Sequence, residues 1–145
     1  MSDHDTPLLD ATALDSLALA HTRTVDALAG FEKMVEKAEP EFLTTATRFR
    51  DLHRAHSTQL SAVLRQHGRT PDDDGSFMST VNRMVVATRA AFDEIDADVM
   101  RQVRSGEENV IAAYRDAEFR VPYPKVKSTL ASLTMELETL LAQTA

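Results

Sequence analysis

Two histidines three residues apart, in the stretch RDLHRAH, are the side chains most suited to chemistry. His53 and His56 lie on one side of a helix at this spacing, because residues i and i+3 are neighbours on a helical surface. His21 reaches the same level if two helices joined near residue 40 run in opposite directions. Three imidazoles with one open coordination position can bind zinc, copper or iron. The sequence therefore offers a candidate site for a single transition metal, zinc or iron, at His21, His53 and His56.

The same three histidines also fit a structural role. Histidines on the inner side of a helix are commonly partly buried and hydrogen-bonded, here to each other, to Thr24 or Thr88, or to water. We favour this role, so no cofactor is expected, and the metal site is the alternative.

A conventional di-iron centre is not expected. Carboxylate di-iron sites built between four helices take a glutamate from each of two helices and a Glu-x-x-His motif from each of the other two. The second predicted helix has His53-x-x-His56 in place of that motif, and the last one has Glu136 and Glu138 but no histidine.

A small-ligand pocket is a second candidate site, near the sequence RVPYPK. Pro122 and Pro124 must interrupt a helix there, and an interrupted helix frees backbone carbonyls and can open a cavity. We expect this break to fall near the histidine layer. The predicted lining residues are Thr88, Phe92, Tyr114 and Tyr123. The alternative, which we favour, is that the break only redirects the last helix onto the others.

The elements that must position these residues are helices. The chain has 145 residues with only 4 glycines and 5 prolines, and its 43% hydrophobic and 27% charged composition is typical of one globular domain. We expect residues 1–10 to be a tail and residues 11–145 to form a single domain. With no cysteine, the chain can form no disulfides and offers no thiolate ligands, which suits a reducing compartment.

Charge and hydropathy exclude several classes of partner. A net charge of −7 disfavours binding to nucleic-acid phosphates. The N-terminal residues lack the pattern of a signal peptide, and no stretch approaches the ~20 apolar residues of a membrane span. We therefore expect a cytoplasmic protein with neither nucleic acid nor membrane as its partner.

Capping residues, glycines and prolines divide the chain into helices. Apolar residues recur within them at alternating steps of three and four, which is typical of helices that bury one face. The predicted helices cover about residues 11–38, 40–67, 76–104, a segment starting near 107 after a Ser105/Glu108 capping box, and 124–142. The predicted fold class is all-α: an antiparallel four-helix bundle whose last helix is broken near Pro122-Pro124.

Three stretches resemble an uncharacterised bacterial family of ferritin-like four-helix bundles: DALAGFEKMVEKAEPEF, GSFMSTVNRM and RSGEENVIAAYRDA. The residues that carry the resemblance are Asp26, Gly30, Phe31, Gly75, Ser76, Gly106, Glu107 and Tyr114. The resemblance covers about residues 12–141 and implies the ferritin-like fold. It implies no particular activity, because the family has none established.

Function is less constrained by the sequence than fold. We expect a non-catalytic interaction or stress-associated module, with a metal-binding or redox protein and a small-ligand binder as alternatives. The third predicted helix has a second face of small residues, which favours a homodimer because most soluble oligomers are symmetric. That face consists of Thr80, Met84, Ala87 and Ala91.

Overall fold

The computed structural model describes residues 10–71 and 99–144, and the described residues form four α-helices. The helices are α1 (Ala11–Lys37), α2 (Pro40–Gln66), α3 (Met100–Arg120) and α4 (Pro124–Gln143). No strand occurs in these two ranges. The predicted all-helical class is confirmed for this part of the chain.

The ends of α1 and α2 lie where local sequence signals place them. The carboxylate of Asp10 accepts a hydrogen bond of 2.8 Å from the backbone N–H of Ala13 and caps α1. Pro40 is the first residue of α2, a position where its missing N–H is not needed. Gly68 follows α2 with a φ of 81°, a left-handed conformation that glycine adopts without strain.

The predicted boundary at residues 105–107 is wrong. α3 runs without interruption through Gly106, so Ser105 and Glu108 are helical residues and not a capping box. A glycine inside a helix costs only about 1 kcal/mol relative to alanine. The apolar face that α3 buries on both sides of Gly106, with Val103 and Val110, outweighs that cost.

The predicted break near the two prolines is confirmed. α3 ends at Arg120 and α4 begins at Pro124, so the connection is three residues long. Proline is accepted at the first position of a helix but disrupts its interior, which explains why α4 starts afresh at Pro124.

The helices bury the faces that their spacing predicts. α1 packs against α2 and α3, and α4 packs against α3 and, less extensively, against α2. In α4 the apolar residues that recur at steps of three and four are all buried, namely Val126, Leu130, Leu133, Leu137 and Leu140. None of the described helices is long and apolar enough to cross a membrane.

Several predictions concern residues outside the described ranges. They include most of the third predicted helix, the proposed dimer face of Thr80, Met84, Ala87 and Ala91, and the pocket residues Thr88 and Phe92.

Two glycine substitutions test the backbone conformations assigned to Gly106, inside α3, and to Gly68, after α2. A Cβ added at Gly106 meets no atom within 4 Å, so Gly106→Ala should stabilise the protein by about 0.5–1 kcal/mol. Gly68→Ala should destabilise it by about 1–2 kcal/mol, because its φ of 81° is left-handed. Urea unfolding midpoints measure both changes. A loss of stability in Gly106→Ala would show that the helix is interrupted there.

Candidate functional site

A chain of hydrogen bonds crosses the core and joins the four described helices. The hydroxyl of Thr24 in α1 lies 2.8 Å from the carbonyl oxygen of Ala20 and 2.7 Å from the hydroxyl of Tyr114 in α3. His56 in α2 has its Nδ1 3.2 Å from the same Tyr114 hydroxyl and its Nε2 2.8 Å from Oε1 of Glu136 in α4. Thr24, His56 and Tyr114 are fully buried, so these bonds replace the water that the groups lose on folding.

The protonation state of His56 determines the direction of these bonds. The carboxylate of Glu136 only accepts, so Nε2 of His56 must donate to it. In a charged His56, Nδ1 donates to Tyr114, Tyr114 donates to Thr24, and Thr24 donates to Ala20. In a neutral His56, Nδ1 accepts from Tyr114 and the Thr24 hydroxyl turns toward Tyr114. Burial lowers the pKa of His56, although its hydrogen bond to Glu136 opposes this, and so favours the neutral arrangement.

A second buried polar pair lies one turn away along α2. Nε2 of His53 is 2.9 Å from Oε1 of Glu107 in α3, and the two side chains are 0% and 2% exposed. The ring of Phe31 stacks on His53 with centroids 5.4 Å apart. Phe31 also stacks on Phe49, at 5.0 Å. The aromatic stack and the hydrogen bond together fix the Glu107 carboxylate at the inner surface of α3.

A cavity of about 180 Å³ lies between α1 and α3, with Glu107 among the residues that line it. Its apolar walls come from Ala27, Phe31, Met34, Val103 and Val110. Gly30 in α1 and Gly106 in α3 are further lining residues, and a Cβ added to either would meet no atom within 4 Å. The two glycines therefore keep the space open.

Two buried carboxylates line this cavity without a full set of hydrogen bonds. Oδ1 of Asp26 and Oε2 of Glu107 accept none from the described part of the chain. Burial raises the pKa of Asp26 to about 6, against the opposing charge of Arg23. The arrangement can bind a group that donates hydrogen bonds or carries positive charge.

The three predicted metal ligands are all buried. His21 is 1% exposed, and His53 and His56 are 0% exposed. The rings of His53 and His56 are nearly perpendicular with centroids 6.3 Å apart, and each directs a nitrogen to its own glutamate. Within the described ranges no group of three or more His, Cys, Asp or Glu side chains is arranged to hold a metal ion. The metal site at these histidines stays a prediction.

The two predicted pocket residues in the described ranges, Tyr114 and Tyr123, do not lie together at the histidine layer. Tyr114 contacts His56 there, but Tyr123 stacks on His67 with centroids 5.4 Å apart. His67 follows His56 by 11 residues in the sequence, which is about 16 Å along a helix. The expectation that the Tyr123 break falls at the histidine layer was therefore wrong.

Sequence reasoning missed the carboxylates that pair with the histidines. Glu107 lies on a line of inward residues at steps of three and four with Val103, Val110, Tyr114 and Ala117. This signal was present in the sequence, but a helix predicted to start near residue 107 placed Glu107 at a helix end and not within an inward face.

The family model described as a domain of unknown function, DUF2383, matches residues 12–118. The chain belongs to this family. The matched region includes both walls of the cavity and the His53–Glu107 pair, whereas α4 and Glu136 lie beyond it. Neither the curated proteins nor the solved structures contain a match to the chain.

The hydroxyl of Tyr114 should contribute more to stability than that of Tyr123. Tyr114→Phe removes the hydrogen-bond partner of Nδ1 of His56 and one of the two partners of the Thr24 hydroxyl, and should cost about 1–3 kcal/mol. Tyr123→Phe is the matched control, because its buried hydroxyl has no hydrogen-bond partner in the described residues and its removal should cost nothing. Urea unfolding measures both. Equal losses in the two variants would mean that the network does not stabilise the fold.

The buried carboxyl of Asp26 predicts a pH-dependent stability. Its pKa is 3.8 when unperturbed and about 6 in the folded protein, so the folded state binds more protons than the unfolded state between these values. Stability contributed by this group is therefore lost as pH rises through the window. Asp26→Asn should stabilise the protein above about pH 6 by up to about 3 kcal/mol, and the gain should vanish near pH 4.

The free energies of unfolding of Asp26→Asn and of the exposed control Asp51→Asn, measured across this pH range, test this pH dependence. Arg23 is the charged group that acts on Asp26, and Glu107 also lines the cavity; both are unchanged in the two variants. A pH-independent difference between Asp26→Asn and wild type would contradict the prediction.

Proposed function

We propose that this protein is a non-catalytic helical module that binds a small organic molecule in the cavity between α1 and α3. The observation that carries the proposal is a cavity of about 180 Å³ with apolar walls and two buried carboxylates, each with one oxygen that accepts no hydrogen bond from the described residues. Apolar walls with a few inward polar groups are the usual composition of a ligand site. An apolar cavity of about 150 Å³ is large enough for benzene, so a single ring or a short chain fits here.

The residues around the cavity support binding over covalent chemistry. Its described lining contains no hydroxyl, thiol or amine side chain that could act as a nucleophile. Its two carboxylates already interact with basic side chains: Glu107 is hydrogen-bonded to His53, and the charge of Arg23 acts on Asp26. Of the functions considered from the sequence, we therefore prefer small-ligand binding to a pure interaction module. The proposed binding site lies at Asp26 and Glu107 instead of near Tyr123.

We also infer that the helices form an antiparallel, ferritin-like bundle. Contacts between helix ends support this topology. Asp15, near the start of α1, pairs at 2.9 Å with Arg69, which follows α2. Arg104, near the start of α3, donates to the carbonyl of Leu141 near the end of α4. A cytoplasmic location, a role in stress and a homodimer remain predictions from the sequence.

Ligand-observed NMR with a library of small fragments tests the proposed binding site. Gly106→Leu should abolish binding, because the new side chain enters the open space beside Gly106 and fills the cavity. Ala112→Leu is the matched control, since it adds a similar side chain on the exposed face of the same helix. Binding that survives Gly106→Leu, or no binding of any fragment to the wild type, would contradict the proposal.

A further inference from the structure

We propose that the ligand of this cavity is an organic monocation: a protonated amine bearing one small apolar group, with its ammonium held between Asp26 and Glu107. This inference rests on the proposed function, because it names the chemical class that the α1–α3 cavity selects.

The two carboxylates supply acceptors that the protein leaves unused. Asp26 is 8% exposed and Glu107 is 2% exposed, and each has one oxygen that accepts no hydrogen bond from the described residues. Burying an ionised carboxylate without donors or an opposite charge is strongly unfavourable. An ammonium group carries three N–H donors and one positive charge, which is the complement these two oxygens lack.

Side chains near the two carboxylates do not fill this role. Arg23, the cation that acts on Asp26, is an exposed residue on the same helix and forms no ion pair with it in the described structure. His53 donates to Oε1 of Glu107 but leaves Oε2 without a donor. His53 therefore orients Glu107 and holds its free oxygen in place for a ligand.

The raised pKa of Asp26 reflects the same cost of burial. Burial disfavours the ionised carboxylate and raises its pKa to about 6. A bound ammonium would reverse that penalty.

The composition of the site favours an organic cation over a metal ion. Divalent metals need several ligands in a defined geometry, and no group of three or more His, Cys, Asp or Glu suited to a metal occurs among residues 10–71 and 99–144. The apolar side chains that line the cavity with the acids, including Phe31, Met34 and Val110, instead provide a surface for a hydrocarbon group. A volume of about 180 Å³ limits that group to one ring or a short chain.

Calorimetry with three probes of one shape tests the charge requirement. Benzylamine, benzyl alcohol and benzoate share a ring but carry positive, zero and negative charge near neutral pH. Benzylamine should bind with one molecule per chain and at least about tenfold more tightly than benzyl alcohol, and benzoate should not bind. The neutral probe separates the preference for a cation from the binding of any apolar ring.

Substitutions that remove one charge at a time test the two acids. Asp26→Asn and Glu107→Gln should each weaken benzylamine binding by about tenfold or more and leave benzyl alcohol binding unchanged. The matched controls are Glu32→Gln in α1 and Glu108→Gln in α3, both exposed, and these should bind benzylamine as the wild type does. Asp26→Asn is decisive if Glu107→Gln fails to fold, because it leaves the His53 contact intact.

The outcomes separate this inference from the proposed function. If fragments bind in a manner abolished by Gly106→Leu, but benzylamine binds no better than benzyl alcohol or is unaffected by Asp26→Asn, the cation preference is wrong and the binding site stands. If neither fragments nor benzylamine bind to the wild type, both proposals are wrong.

Discussion

The hydroxyl group of Tyr114 sets the strictest constraint on how the described helices pack. It lies in a part of the core with no exposure to solvent, where an unsatisfied polar group costs more free energy than a hydrogen bond contributes. Thr24 and His56 satisfy it from two other helices, and Glu136 satisfies the far nitrogen of His56 from the fourth. Because each bond requires a specific residue at a specific height, a shift of any one helix by a turn would break the network. Apolar packing alone tolerates such shifts more readily.

The layer one turn away also pairs a histidine with a glutamate, but its hydrogen bonds are incomplete. His53 and Glu107 are as deeply buried as His56 and Tyr114, yet one oxygen of Glu107 and one of Asp26 receive no donor from the described residues. The network around Tyr114 therefore behaves as structure, since its bonds are largely made within the protein. The incomplete layer around Glu107 is where we propose that a ligand binds, since a ligand would supply its missing partners. In this proposal, two neighbouring polar layers divide stability and binding between them.

The open space beside the incomplete layer depends on residues that have no side chain to fill it. Gly30 and Gly106 lie on the two helices that enclose the cavity, and neither has a backbone conformation that requires glycine. A helix loses stability at such positions, so their contribution to this protein is the volume they leave empty. Six of the residues through which the sequence resembles its family line this cavity or contact His56: Asp26, Gly30, Phe31, Gly106, Glu107 and Tyr114.

Much of the fold was determined by the sequence on its own, because helix ends depend on local chemistry. Asp10, Pro40, Gly68 and Pro124 act on backbone groups within a turn of themselves, and the burial of α4 follows from its own apolar spacing. The helix boundary predicted at Gly106 was wrong, because glycine is only a weak helix breaker and the packing of α3 outweighs its cost. Only the tertiary structure could pair His53 with Glu107 and His56 with Glu136. Periodicity tells which side of a helix faces inward, but the height at which one helix meets another depends on the packing of all of them. For that reason the burial of the histidines was predictable, whereas their partners and the cavity beside them were not.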